Sequence, residues 1–276
     1  MQALLGRFRH WARGAPSQSQ TTEGLTSGWI PEKDLVELPR RYGAYETPPL
    51  GYATVRDFAD SLDHLGYLAR AQGDLKDVQR PWALKAILGR VPRGSRLLEI
   101  GAGQPYVADI LSHLGYEVWL VDPYDGSGNG PLEFDYFQRV CPRIRFVRET
   151  YSDELAGIPD QAFDCIYSIS VLEHIDHPGL AAVARGVSRH LSTDGCSIHA
   201  VDHVLRGIGA DEHLETLREI VRLFGLRESL LATALDELTE DTETYYLSAE
   251  SHNRWRGSVP YDEFPMRVCA SIHLTV

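Results

Sequence analysis

Short apolar segments alternate with amphipathic segments over most of the chain after Arg96. Five of the apolar segments have the length of buried strands: 97–100, 117–121, 144–147, 164–169 and 196–201. Apolar residues at helical spacing lie between them and predict helices over 107–114, 132–140, 179–191 and 211–224. Two more strand-like segments follow, 244–247 and 268–274. The alternation predicts a doubly wound α/β protein whose seven-stranded sheet is mostly parallel and has an antiparallel last strand.

The first 85 residues do not share this alternation. Residues 14–26 are rich in Ser, Thr, Gln and Gly, which predicts a flexible linker, and irregularly spaced prolines over 28–51 predict extended, irregular chain. Helical spacing of apolar residues predicts helices over 54–68 and 81–88. We therefore expect an N-terminal extension with a linker and a helical lid, residues 1–85, and a main domain, residues 86–276. Tyr52, Tyr67 and Arg70 are expected to lie on the lid.

Composition and charge narrow the class of partner. The formal net charge is −12, and negative charge repels a phosphate backbone, so no nucleic-acid partner is expected. The four cysteines form no C-x-x-C pair and are typical of buried thiols in a reducing compartment, which favours the cytoplasm. Without a long apolar run, no integral association with a membrane is expected. The expected partners are a small-molecule acceptor and, in a possible homodimer, a second copy of the chain.

A glycine loop follows the first strand of the alternating region. Gly101, Ala102 and Gly103 stand between that strand and a helix, where glycines let the backbone turn sharply and approach a ligand. A dinucleotide-binding loop needs a third glycine at position 106, which is Tyr106 here. Asp122 ends the next strand, 19 residues after Gly103, where an acid reaches the ribose hydroxyls of a bound nucleoside. The loop therefore predicts a nucleoside ligand other than a dinucleotide.

Three segments resemble class I S-adenosylmethionine-dependent methyltransferases, in particular their broad small-molecule group. Residues 98–103 are similar to the family's first motif, Val121-Asp122 to its ribose-binding acid, and residues 163–175 to its fourth-strand motif. The resemblance implies a Rossmann-like sheet and S-adenosylmethionine as the cofactor. It implies a cofactor site made of Glu99, Gly101, Ala102, Gly103, Asp122, Tyr151, Ser152, Ser168 and Ser170.

The resemblance also implies a role for each group. The glycines pass the methionine moiety, Glu99 orients the loop or contacts the amino group, and Asp122 binds ribose. Residues around Tyr151 flank the adenine, and residues 168–171 line the wall near the sulfonium. The chain departs from the family pattern at Pro105, where a further glycine is frequent, and at Ser152, where an acid is frequent.

Histidines at strand ends are candidates for a general base, which an oxygen or nitrogen acceptor needs when it loses its proton. His203 is the first candidate catalytic residue, and His174 the second, with a structural role as the alternative for each. His199 and His203 with Asp202 have a spacing that binds zinc on a helix. Here that spacing straddles a strand end, so no metal is expected.

The segment 248–265 combines basic and aromatic residues and is expected to overhang the acceptor pocket. Its candidate substrate-binding residues are His252, Trp255, Arg256 and Tyr261. A packed loop or a dimer contact is the alternative. Arginines in this segment favour a hydroxyl-rich or anionic acceptor such as a sugar, and hence O-methylation of a small molecule. Two other classes stay open: a non-catalytic binding protein, and another nucleoside-using enzyme such as an aminopropyl transferase or, less favoured, a dehydrogenase.

Overall fold

A seven-stranded sheet forms the centre of the computed structural model. The structure describes residues 30–69, 75–127, 130–207, 209–247 and 269–276. The strands are β1 Leu50–Tyr52, β2 Arg96–Ile100, β3 Glu117–Val121, β4 Arg145–Val147, β5 Phe163–Ile169, β6 Leu191–Val204 and β7 Cys269–Thr275. Their order is β1-β7-β6-β5-β2-β3-β4, and β7 runs antiparallel to both neighbours. The predicted doubly wound, mostly parallel sheet with an antiparallel last strand is confirmed.

Helices cover both faces of the sheet. They are α1 Asp34–Tyr42, α2 Val55–Leu65, α3 Lys76–Arg90, α4 Tyr106–His113, α5 Phe134–Val140, α6 His177–His190, α7 Ala210–Leu223 and α8 Glu228–Glu240. Side chains of α1, α3, α4 and α5 form one buried core with one face of the strands, and those of α6, α7 and α8 form a second core with the other. Alternation of side chains along each strand supplies both cores.

The edge of the sheet differs from the sequence prediction. Residues 28–51 were expected to be irregular, yet they contain α1 and the edge strand β1, which pairs with β7. Segment 244–247 was expected to be a strand, but it forms only two isolated bridges, Thr54 with Thr244 and Tyr246 with Ala270. β1 pairs with residues 272–274 of β7 and so takes the edge position. Tyr246 reaches β7 only at Ala270, beyond the end of β1.

Two helix predictions and one turn prediction also change. α3 begins at Lys76, five residues before the expected start, and continues through Pro81, whose ring removes one intrahelical hydrogen bond. Helix α8 was not predicted at all. The turn expected at residues 193–195 lies inside β6, where the register with β5 shifts between Phe163 and Cys165. An extra stretch of β6 is therefore accommodated as a bulge.

The described residues before position 86 pack on the same sheet as the rest of the chain. The boundary expected between residues 85 and 86 falls within α3, and Leu38 and Tyr42 of α1 share a core with Leu97 of β2. Trp82 of α3 stacks on His273 of β7 with ring centroids 4.0 Å apart. Tyr52, expected on a lid, lies in β1 and donates a hydrogen bond to Asp241 at 3.1 Å. Among the described residues, no helix has the length and apolar character that crossing a membrane requires.

Candidate functional site

The strand order reverses between β2 and β5. From β2 the chain continues outward through β3 and β4, and from β5 it continues in the opposite direction through β6. In open α/β sheets, ligands bind outside the carboxyl ends of the strands at such a switch point. The glycine loop leaves β2 and residues 170–174 leave β5, so the two segments flank this crevice.

The glycine loop needs glycine for two separate reasons. Gly101 and Gly103 have φ angles of +64° and +55°, which L side chains rarely adopt. A Cβ atom added at Gly101 would lie 2.8 Å from one γ carbon of Val171 and 2.9 Å from the other. The loop after β2 and the segment after β5 are thus in direct contact, and a side chain at position 101 would separate them.

Asp122 connects the end of β3 to the glycine loop. Its carboxylate accepts hydrogen bonds from the N–H groups of Gly103, at 2.9 Å, and Tyr124, at 2.8 Å. The side chain is almost buried, and this burial raises the pKa of its carboxyl group above the ordinary value. Each carboxylate oxygen keeps a further lone pair, so both are able to accept ribose hydroxyls while holding the loop.

Glu99 lies beneath the loop and is only 2% exposed. Burial raises the pKa of Glu99 to about 8, against the hydrogen bond that Tyr167 donates to it at 2.9 Å and the charge of Arg80. Burial therefore favours the neutral form of this side chain inside the core. This placement favours the orienting role over direct contact with an amino group.

The two residues expected beside the adenine, Tyr151 and Ser152, follow β4 and lie against α6. Tyr151 is buried under α6, where its hydroxyl lies 3.0 Å from Nδ1 of His190. Ser152 is partly exposed, and its Oγ accepts the N–H of Glu154 at 3.3 Å. The neighbouring Asp153 is held by Arg185 in a bidentate ion pair at 2.7 and 3.2 Å.

Ser168 and Ser170 occupy different environments although they are two residues apart. Ser168 is completely buried, with its Oγ 2.8 Å from Nδ1 of His199, and burial lowers the pKa of that histidine to about 3. Ser170 stands past the end of β5 with a φ of +56°. A strained backbone of this kind in a non-glycine residue is frequent at functional sites. Ser170 thus stands at the carboxyl end of β5, whereas the Ser168 side chain is buried against β6.

A polar network extends from Ser170 along the carboxyl ends of β5 and β6. Lys76 of α3 donates to Ser170 Oγ at 3.2 Å, and Ser170 Oγ lies 3.5 Å from Asp202 Oδ2. Gln79 of α3 donates to Asp202 Oδ1 at 2.7 Å. Glu173 Oε1 accepts the N–H of Asp202 at 2.8 Å. Charged and hydrogen-bonding groups therefore line the crevice on the side away from Asp122.

The two candidate bases differ in exposure. The side chain of His174 is 53% exposed, with Nε2 4.0 Å from Glu173 Oε1. His203 is 4% exposed, and burial, together with the charge of His213, lowers its pKa to about 4. Because side chains alternate along β6, His203 faces α7 while Asp202 faces α3. This placement favours a packing role for His203.

The candidate substrate-binding residues His252, Trp255, Arg256 and Tyr261 lie outside the described residues, as does Arg70 of the expected lid. Sequence reasoning missed Lys76 and Gln79, because starting α3 at Pro81 left both outside any predicted element. It also missed Glu173. A signal was available for this residue, since it lies in the same segment as His174, directly after a buried strand.

Comparison with known proteins gives the family. A family model described as a methyltransferase domain matches residues 75–263. Two curated relatives from strains of Mycobacterium tuberculosis, the uncharacterized proteins MT1557 and Rv1509, are each 32% identical over 122 residues, 44% of this chain. The match spans 39% of the length of these relatives.

Solved structures resemble the chain more distantly. A TehB-like SAM-dependent methyltransferase from Corynebacterium glutamicum is 22% identical, with 60% of this chain and 83% of that chain covered and a TM-score of 0.40. Phosphoethanolamine N-methyltransferase 2 from Haemonchus contortus is 18% identical, with 79% and 59% covered and a TM-score of 0.44. Geranyl diphosphate C-methyltransferase from Streptomyces coelicolor is 11% identical, with 89% and 98% covered and a TM-score of 0.45. TM-scores this low carry no information about the acceptor.

The family model covers more than half of the chain, and it includes the glycine loop, Asp122 and the segment after β5 that meet at the switch point. The chain therefore belongs to the methyltransferase-domain family.

Proposed function

We propose that this methyltransferase acts on a small, hydroxyl-rich molecule and methylates one of its oxygens. The observation that carries the proposal is the polar network beside the cofactor crevice, in which Gln79 holds the carboxylate of Asp202 in place at 2.7 Å. A carboxylate fixed in this way accepts a hydrogen bond from a hydroxyl group and orients its oxygen. The carboxylates of Asp202 and Glu173 make this edge a better partner for hydroxyl groups than for an anion.

Alignment of the reacting atoms is the main task of the site. S-adenosylmethionine supplies a methyl group on a positively charged sulfur, and correct positioning alone contributes up to ~7–11 kcal/mol in favourable cases. Gly101 and Gly103 let the backbone approach the methionine moiety, and Asp122 binds ribose. The bond from the acceptor oxygen to the methyl carbon forms as the carbon–sulfur bond breaks.

Asp202 takes the proton that the acceptor hydroxyl loses and passes it to water. The partly exposed Asp202 is better placed for this than the buried His203. Lys76 adds a positive charge beside Ser170, which favours the developing negative charge on the oxygen. His252, Trp255, Arg256 and Tyr261 stay in the proposal as acceptor contacts. The negative net charge of the chain favours a small molecule over a nucleic acid, and the free thiols favour the cytoplasm.

Deuterated methyl-S-adenosylmethionine tests the proposal. The protein is incubated with sugars, phenols, amines and carboxylic acids, and mass spectrometry locates the label. We expect label on oxygen, and Asp202→Asn to lower kcat while calorimetry shows unchanged cofactor affinity. Trp255→Ala should lower turnover in the same way, and Asp236→Asn, an exposed amide control on α8, should change neither. Label confined to nitrogen or carbon would contradict the proposal, as would full activity of Asp202→Asn.

A further inference from the structure

Three potential metal ligands meet at the carboxyl ends of β5 and β6. Ligand atoms of Glu173, His174 and Asp202 all lie within 4.8 Å of one another. The first two belong to the short 3-10 turn Leu172–His174, and Asp202 is near the end of β6. Ligands on opposite sides of a divalent cation are about 4–5 Å apart, since each metal–oxygen bond is about 2.0–2.6 Å long. One cation is therefore able to reach all three residues with small side-chain adjustments.

The buried carboxylate of Glu173 independently indicates a ligand at this cluster. Its side chain is only 2% exposed, and one oxygen, Oε1, accepts the backbone N–H of Asp202 at 2.8 Å. The other oxygen, Oε2, is buried and has no hydrogen-bond partner among the described residues. Buried polar atoms are nearly always paired, so an unpaired carboxylate oxygen beside a second carboxylate indicates a missing positive partner.

Lys76 is the obvious competitor for this role. Its ammonium group donates to Ser170 Oγ at 3.2 Å, and its charge also acts on Glu173. It nevertheless leaves Glu173 Oε2 without a hydrogen bond. Asp202 is held by Gln79 through Oδ1, and its Oδ2 lies 3.5 Å from Ser170 Oγ. The second carboxylate is thus already oriented toward the cluster by a neutral side chain, as a metal ligand requires.

We propose that Glu173, His174 and Asp202 bind a divalent cation, and that the acceptor hydroxyl completes its coordination. Two carboxylates favour Mg²⁺ or Mn²⁺ and the imidazole favours a transition metal, so the mixed set fits Mn²⁺ best. This proposal differs from the sequence-based expectation that the protein binds no metal. A bound cation lowers the pKa of a coordinated hydroxyl group, which makes it easier for Asp202 to take the proton and pass it to water.

The role in catalysis rests on the proposed O-methylation, but the metal site does not. Titration of the full chain with Mn²⁺ alone, without cofactor or acceptor, tests the site directly. The electron paramagnetic resonance signal of free Mn²⁺ reports how much is bound. We expect one saturable site per chain. Glu173→Gln and Asp202→Asn should each weaken binding at least tenfold, and Asp236→Asn should leave it unchanged.

Two further variants keep the test decisive if Glu173→Gln fails to fold. The exposed His174 can be replaced by Ala with little effect on the core, and this change should also weaken Mn²⁺ binding. Lys76→Met removes the competing ammonium group and should tighten it. Circular dichroism and cofactor affinity verify the fold of each variant. Absence of a saturable site, or equal Mn²⁺ affinity in wild type, His174→Ala and Asp202→Asn, would overturn the proposal. Mn²⁺ binding without oxygen methylation would instead contradict only the proposed function.

Discussion

Gly101 occupies a conformation and a space that exclude a side chain. Its φ angle is +64°, and an added Cβ would lie 2.8 Å and 2.9 Å from the two γ carbons of Val171. The left-handed conformation costs an alanine about 1–2 kcal/mol. Forcing a methyl group into a packed contact costs about 1–3 kcal/mol more. We therefore expect Gly101→Ala to lower the free energy of unfolding by about 2–5 kcal/mol and to weaken cofactor binding.

Gly94→Ala is the matched control for this prediction. Gly94 has a φ of +92° with nothing within 4 Å of an added Cβ, so its replacement carries only the conformational cost of about 1–2 kcal/mol. Unfolding in urea measures both losses, and calorimetry with S-adenosylhomocysteine measures binding, which Gly94→Ala should not alter.

Val171 provides the test of the contact itself. Adding Val171→Ala to Gly101→Ala removes both γ carbons, so a double-mutant cycle should give a favourable coupling of about 1–3 kcal/mol. The reasoning is refuted if Gly101→Ala and Gly94→Ala cost the same and Val171→Ala shows no coupling to position 101.

Two further predictions concern buried ionisable side chains. Lys85 is 1% exposed and pairs with Asp60, which is 39% exposed. Lys85→Ala should therefore lower the free energy of unfolding in urea by about 2–3 kcal/mol. Lys85→Met should lower it by less, because methionine keeps the apolar stem. A loss below about 1 kcal/mol in Lys85→Ala would show that the pair contributes no more than a surface ion pair. Burial lowers the pKa of His199 to about 3 from an ordinary 6.5, so the unfolded chain takes up a proton that the folded chain does not, and stability is complete above pH 6.5 and falls as the pH drops toward 3. His199→Gln should reduce the slope of unfolding free energy against pH in that window by up to about 1.4 kcal/mol per pH unit. Urea unfolding at a series of pH values measures this slope. An unchanged slope would mean that His199 becomes charged inside the folded protein.

Local patterns were sufficient for the centre of the sheet. Strands β2, β3 and β5 are buried on both faces and are therefore mostly apolar segments, which are visible in the sequence. Strand β1 has three residues and pairs with β7 more than 200 residues later, so no local pattern distinguishes it from a loop. Helix α3 begins five residues before Pro81, although a proline in a helical pattern is typical of the first turn. Both errors arise because distant packing compensates for a weak local preference.

The candidate site divides in the same way. The sequence by itself determined the glycine loop and Asp122, because a backbone turn with positive φ favours glycine and an acid at the end of the next strand is visible at a fixed spacing from it. Only the tertiary structure decided which neighbouring side chains meet. Ser170 reaches the crevice while Ser168 is buried, and Asp202 joins α3 while His203 is packed against α7. The physical reason is that strand side chains alternate between two faces, and which face meets which helix depends on long-range packing that no local pattern encodes.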